Sequence, residues 1–180
     1  MINGIHHTAI SVKELGRSVA FYRDILGFRV RAGSGWDVGT PEADRVVGLV
    51  DSAARFVMLW TGNSHIELFE YSSPVPKERA RDMRACDHGY THVCLDVTDV
   101  DGEYERLTEA GMKFNGAPQS IMGVRTMYGM DPDGNVVEFQ EVINWPALAM
   151  PAELFDVPKE RLAVDEWSIA ESTMTRAKKP

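Results

Sequence analysis

The sequence predicts an α+β chain built from two tandem βαβββ modules, and three observations carry that expectation. The first is an internal repeat. His7-Thr-Ala-Ile-Ser-Val12 opens a stretch running to Gly27-Phe28, and His92-Val-Cys-Leu-Asp-Val97 opens another running to Gly111-Met112. The offset is 85 at His7/His92 and 84 at Gly27/Gly111, a one-residue deletion between copies. The second is the order of hydrophobic periods, alternating, then helical, then alternating again, in both copies. The third is that each copy ends on a strand with a central carboxylate, Ile66-Glu67-Leu68 and Val137-Glu138-Phe139. Self-similarity at fixed spacing constrains a fold more than any single motif.

In the first copy, residues 5–12 alternate and read as a strand. Leu15, Val19, Tyr22, Ile25 and Leu26 form a helical stripe over 15–26, and Gly27 supplies a left-handed stop. Residues 28–31 resume an extended pattern. A glycine-rich loop (Gly33, Gly35, Gly39) and a short helix from Pro41 to Leu49 follow. Arg55–Trp60 and His65–Tyr71 read as a hairpin turning at Gly62-Asn63.

The second copy repeats the order with a strand at 91–97, a helix at about 99–110 stopped by Gly111, and strands near 112–115, 124–130 and 135–142. Asp131-Pro-Asp-Gly-Asn135 makes the last turn, with residues that favour tight backbone reversal. His7 and Glu67 stand 60 residues apart but His92 and Glu138 only 46, so the first copy carries 14 extra residues around 33–50. The expected organisation is a first module at 1–72 with that insertion, a linker at 73–89, a second module at 90–143 and an extension at 144–180. The extension, with a helix expected near 158–172, belongs to neither repeat. Two readings of it stand: a fraying surface arm, or a segment packing Trp145, Leu154, Phe155 and Trp167 over a partner subunit or a pocket mouth.

At 180 residues and 44% apolar composition, the chain can bury a core without disulfides. A net charge of −8, with its densest basic run only at Lys77–Arg84, argues against nucleic acid. No apolar span reaches membrane length, and a cytoplasmic protein is expected. Cys86 and Cys94 are expected as reduced thiols, and without a CxxC pattern a thiolate zinc site is disfavoured.

Strand parity selects the chemistry-bearing residues, since residues two apart share a face. His7 shares its face with Ala9 and Ser11, and His92 with Cys94 and Asp96, while apolar neighbours point the other way. Glu67 shares its face with His65, Phe69 and Tyr71, and Glu138 with Gln140. His6 aligns with Thr91 in the repeat and falls on the opposite face, so His7 is chosen. A mid-strand glutamate between apolar neighbours is costly unless paired. Two at matching positions point to a ligand set of His7, Glu67, His92 and Glu138 for one divalent ion: Zn, Ni, Fe, Mn or Co.

The chain resembles the vicinal oxygen chelate superfamily of glyoxalase I, methylmalonyl-CoA epimerase, type I extradiol dioxygenases and bleomycin-resistance proteins. The resemblance covers about residues 3–142. It rests on His7 with Leu15-x-x-Ser18-x-x-Phe21-Tyr22-x-x-x-Leu26-Gly27-Phe28, on the paired His92 strand, and on Asp131-Pro-Asp-Gly-Asn135-x-x-Glu138. It implies two modules whose sheets curl around a shared metal-site cavity, commonly in a homodimer. It also implies His7, Glu67, His92 and Glu138 as metal ligands. The His/Glu/His/Glu set looks like glyoxalase I; epimerases usually carry Gln at the position of Glu67, and extradiol dioxygenases lack that ligand. Bacterial glyoxalase I has arginine and asparagine to hold glutathione where this chain has Ser11 and Tyr71. A standard glutathione adduct is therefore not the expected substrate. Tyr71, Arg125 and Tyr128 are the candidate substrate contacts.

The expected activity is that of a glyoxalase I-like lyase or isomerase acting on a small molecule with adjacent oxygens. A proton moves through a metal-stabilised enediolate or enolate, with Glu138 the first choice of base and Glu67 the second. The alternatives are a metal-free small-molecule binding or resistance protein and an extradiol-type dioxygenase.

Overall fold

A computed structural model describes residues 1–2, 4–78 and 84–150. The expected tail helix near 158–172, together with Leu154, Phe155 and Trp167, lies outside the described residues. The chain divides into two compact units, the first carrying residues up to Glu78 and the second beginning at Arg79.

The first unit is a four-stranded sheet in the order β1-β4-β3-β2, where β1 is His7–Ser11, β2 Arg29–Trp36, β3 Ala53–Thr61 and β4 Ser64–Ser73. β1 pairs in parallel with β4, and the other neighbours pair antiparallel. Helix α1 (Leu15–Ala20) continues as one π-type turn over Phe21–Ile25, and Gly27 follows at φ 77°. Of the expected stripe, Leu15, Val19 and Tyr22 pack among Val57, Leu59, Ile66 and Leu68, all essentially inaccessible, while Ile25 and Leu26 are half-buried. Truncating a leucine in such a place to alanine costs about 2–5 kcal/mol.

The expected glycine-rich loop after residue 31 is instead strand, because β2 runs on to Trp36. The reason lies in β3. A Cβ on Gly35 would stand 2.5 Å from the Ala54 carbonyl oxygen, so glycine there allows close strand approach rather than loop flexibility. Helix α2 (Pro41–Val47) follows, closed by Gly48 in the left-handed region, as the insertion predicts.

The second unit repeats the plan. β5 (His92–Asp96), β9 (Val136–Val142), β8 (Val124–Met130) and β6 (Lys113–Phe114) form one sheet in that order. A short strand that the sequence pattern does not reveal, β7 (Gln119–Ile121), pairs with β8. Helix α3 (Val100–Glu109) is N-capped by Asp99, whose side chain accepts from the Gly102 amide, and Gly111 follows at φ 88°. Val100, Leu107, Met127, Val137 and Phe139 form its core. The Asp131 carboxylate accepts from the amides of Asp133 and Asn135 at 2.9 and 2.8 Å, closing the expected β8–β9 turn.

The repeat also extends to an anchor. The Leu15 amide donates to Glu70 Oε2 at 2.6 Å, and the Val100 amide donates to Glu141 Oε2 at 3.1 Å. In each unit a carboxylate three residues past the central glutamate ties the glutamate's strand to a helix N-terminus, where orphan amides favour negative charge. Among the described residues no helix is long and apolar enough to cross a membrane.

Candidate functional site

In the first unit the parallel register sets His7 beside His65 and Ala9 beside Glu67, all on one face of the sheet. His7 Nε2 lies 3.2 Å from Glu67 Oε2. The other ring nitrogen, Nδ1, faces His6 Nδ1 at 2.8 Å. His6 in turn stacks on His65 with ring centres 5.0 Å apart. His7 is the histidine that meets the carboxylate, but His6 does not turn to the opposite face as strand parity predicts. It precedes β1, which begins at His7, so parity does not bind it, and its ring lies against His7 and His65.

The second unit builds the same pair. β5 and β9 place Cys94 beside Glu138, and His92 Nε2 lies 3.0 Å from Glu138 Oε2. The His92 Nδ1 meets Thr91 Oγ1 at 2.9 Å, with Thr91 standing where His6 stands in the first unit. Glu138 is only 9% exposed. Its second oxygen, Oε1, accepts from Thr126 Oγ1 at 2.7 Å, which satisfies a carboxylate that burial would otherwise penalise. Glu67 has no such hydroxyl clamp among the described residues.

Each pair brings one imidazole nitrogen and one carboxylate oxygen to 3.0–3.2 Å. Two donors bonded at right angles to a divalent ion, with bonds of about 2.1 Å, stand about 3.0 Å apart. Each pair therefore fits one edge of an octahedral site, and its mixed N/O chemistry suits a borderline divalent ion. Among the described residues no group of three or more His, Cys, Asp or Glu side chains is assembled to hold a metal. The structure brings together His7 with Glu67 and His92 with Glu138, as two pairs.

The candidate substrate contacts divide. Tyr128 sits opposite Glu138 in the β8–β9 register, with its ring 4.9 Å from the His92 ring. Tyr71 shares the face of Glu67, two strand positions from Phe69. Partial burial, then the nearby Glu67 or Glu138 charge, pushes both phenols above their ordinary range. Arg125 lies opposite Glu141, on the other face from Glu138. Its guanidinium grips Asp101 of α3 at 2.6 and 2.7 Å and reaches Ser120 Oγ at 3.3 Å. The structure does not bring it to the carboxylate pair.

Sequence reasoning missed three groups here. Thr126 could have been found only through the β8–β9 register. Cys94 reads from the sequence only as a neighbour on the His92 face. Desolvation first, then the charge and hydrogen bonding of Glu138, pushes its thiol up to about 12, although the residue is exposed at the sheet surface. Cys94 and Glu138 are register partners, which sets that carboxylate beside the thiol. Asp96 is likewise raised, by burial and then by Glu141. The third is Trp36, whose indole Nε1 donates to Ser52 Oγ at 2.9 Å, a contact that depends on the reversal through α2.

The model of the family described as the glyoxalase/bleomycin resistance protein/dioxygenase superfamily matches residues 4–139. The chain is similar to a 2-epi-5-epi-valiolone epimerase from an Actinomyces species, 30% identical over 156 residues, spanning 79% of this chain and 80% of the relative. An ethylmalonyl-CoA/methylmalonyl-CoA epimerase from Cereibacter sphaeroides is 27% identical over 150 residues, spanning 79% of this chain and all of the relative. Among solved structures, a glyoxalase family protein from Bacillus cereus superposes with a TM-score of 0.71 at 24% identity, covering 80% of this chain and 97% of the other. That last likeness speaks to the fold alone.

Proposed function

The chain belongs to the glyoxalase/bleomycin resistance protein/dioxygenase superfamily, and on that premise we propose that it is a metal-dependent enzyme that moves a proton on a small molecule with adjacent oxygens. The reaction is of the lyase or isomerase kind, and epimerisation is the outcome favoured by the two relatives described above. The observation that carries this reading is the duplicated pair: a histidine Nε2 against a glutamate oxygen at 3.2 Å in one unit and 3.0 Å in the other.

His7, Glu67, His92 and Glu138 would hold the ion. When bound, the divalent ion supplies Lewis acidity to a substrate carrying two neighbouring oxygens. The remaining work falls to side chains of this chain. Glu138 takes the proton from the carbon beside the carbonyl. Thr126 orients it by holding Oε1, while Oε2 faces His92. Glu67, without that clamp, is the second carboxylate, able to return a proton to the same or a neighbouring carbon. Tyr71 and Tyr128 stay protonated at neutral pH and can donate to a substrate oxygen. A standard glutathione adduct is not the expected substrate, because Ser11 and Tyr71 replace the residues that would hold the tripeptide.

The test has two readouts. Protein purified without chelator should carry one divalent ion per chain by elemental analysis, lost in His7→Ala and in His92→Ala. Candidate α-hydroxycarbonyl compounds are then incubated in heavy water, and deuterium uptake at the carbon next to the carbonyl is followed. Loss of a positioned base slows proton transfer by about 100-fold or more, so Glu138→Gln, assayed with the divalent ion in saturating excess, should lose exchange. Persistent absence of metal would point to a binding protein instead. Near-normal exchange in Glu138→Gln would reassign the base.

A further inference from the structure

The 14-residue insertion has no counterpart in the second unit, and the structure gives it a job on the face that carries Glu67. Trp36, at the end of β2, is followed by α2. From α2, Asp44 reaches back: its Oδ1 accepts from the Ser52 hydroxyl at 2.5 Å and the Ser52 amide at 2.8 Å, and its Oδ2 accepts from the Asp51 amide at 3.1 Å. Ser52 is fully buried, and its hydroxyl oxygen accepts from the Trp36 indole Nε1 at 2.9 Å. One carboxylate thus orients one hydroxyl, and that hydroxyl fixes one indole. Gly35, which admits no side chain against Ala54, holds the strand beside it.

The indole is fixed against other rings. Its centre lies 6.0 Å from Phe69 and 5.9 Å from Tyr71, edge-on to both. Phe69 and Tyr71 stack at 5.8 Å, and Phe56 lies 5.3 Å from Phe69. All four rings are half-buried. Glu67, Phe69 and Tyr71 are successive residues of one face of β4, spaced about 7 Å apart. A substrate held at Glu67 therefore continues directly onto the rings. The Trp36 N–H is already engaged by Ser52, so the wall offers π faces and hydrocarbon with a single phenol. That composition suits a flat apolar ring and would leave the hydroxyls of a sugar-like ring unpaired.

We propose that the insertion is a specificity element: through Asp44 and Ser52 it fixes Trp36 against Phe69 and Tyr71, and this aromatic wall beside Glu67 selects vicinal-oxygen substrates that carry an aryl group. The assignment deepens the metal-dependent reading and rests on it for the position of the chelating oxygens.

Mandelate and lactate test it, since both chelate through a hydroxyl and a carboxylate and differ by a phenyl group in place of a methyl. Calorimetric titration of the zinc-loaded protein should show mandelate binding at least about tenfold tighter. Trp36→Leu and Ser52→Ala should cut that preference to about twofold while leaving the lactate Kd and the zinc content unchanged. Trp36→Phe, which keeps a ring, should retain part of the preference. Equal affinities in the native protein, a preference that survives Trp36→Leu, or binding of neither acid would overturn the proposal. If Trp36→Leu fails to fold by circular dichroism, Ser52→Ala decides. Saturation-transfer NMR on the zinc-free protein separates the two readings. Trp36-dependent transfer to the phenyl protons keeps the wall even if zinc never binds, whereas zinc binding without any aryl preference removes the wall and keeps the metal site.

Discussion

Replacing Thr126 by valine removes one hydroxyl at nearly constant volume. In the structure Oγ1 lies 2.7 Å from Glu138 Oε1 and 3.0 Å from the Phe139 carbonyl oxygen. A hydroxyl has one proton to give, and the nearer, charged oxygen takes it. A hydrogen bond to a charged group contributes about 1.5–3 kcal/mol, and the burial of Glu138 limits how well water can replace it. The expected cost to the metal-free second unit is therefore about 2 kcal/mol. For a chain of this size each kcal/mol shifts the midpoint by about 2–4 °C, so its unfolding temperature should fall by about 4–8 °C. The assay is thermal unfolding followed by circular dichroism at pH 7 in chelator. A second readout is zinc affinity measured against a chromophoric competitor, expected to fall about 10–100-fold because Thr126 orients a proposed ligand. Thr126→Ser, which keeps the hydroxyl, should preserve both quantities. A Thr126→Val protein that melts and binds zinc like the native one would refute the clamp.

Two further outcomes follow from the perturbed groups. Cys94, pushed up to about 12, is almost wholly protonated at pH 8, so iodoacetamide should label Cys86 well before Cys94 in peptide mass spectra; equal labelling rates would contradict the raised thiol. Asp44 is held below its ordinary value of 3.8 by the Ser52 hydroxyl, then by the amides of Ser52 and Asp51. Its stabilising contribution is complete above that ordinary value and is lost as pH falls through the depressed one. Asp44→Asn should therefore lose stability at neutral pH and flatten the fall in unfolding temperature below about pH 4. Parallel curves for the two proteins across that range would sink the assignment.

Much of the fold was legible because repetition and periodicity are local properties. His7 and His92 open strands flanked by the same apolar stripe, and Gly27 and Gly111 both adopt the left-handed conformation expected of them. Strand parity does not hold for His6, because that residue lies before β1 and its ring rests against His7 and His65. Gly35 points to a loop in the sequence for a definite reason. Glycine marks both loops and close strand approach, and only the Ala54 carbonyl on the neighbouring strand tells them apart. Strand β7 escaped notice because three exposed residues, Gln119–Ile121, carry no hydrophobic alternation.

What the sequence by itself determined is the duplicated plan: which residues repeat, which face each occupies, and that a histidine and a glutamate recur in both halves. Those follow from order and parity along one strand. What only the tertiary structure decided are the partners reached across strands and from the insertion. Thr126 on Glu138, Asp101 on Arg125, Glu70 and Glu141 on the helix starts, and the Asp44–Ser52–Trp36 relay all depend on register or on a chain reversal. Hydrogen bonds act over about 3 Å, and residues 8 to 55 positions apart come within that distance only once the sheets and the α2 reversal have formed.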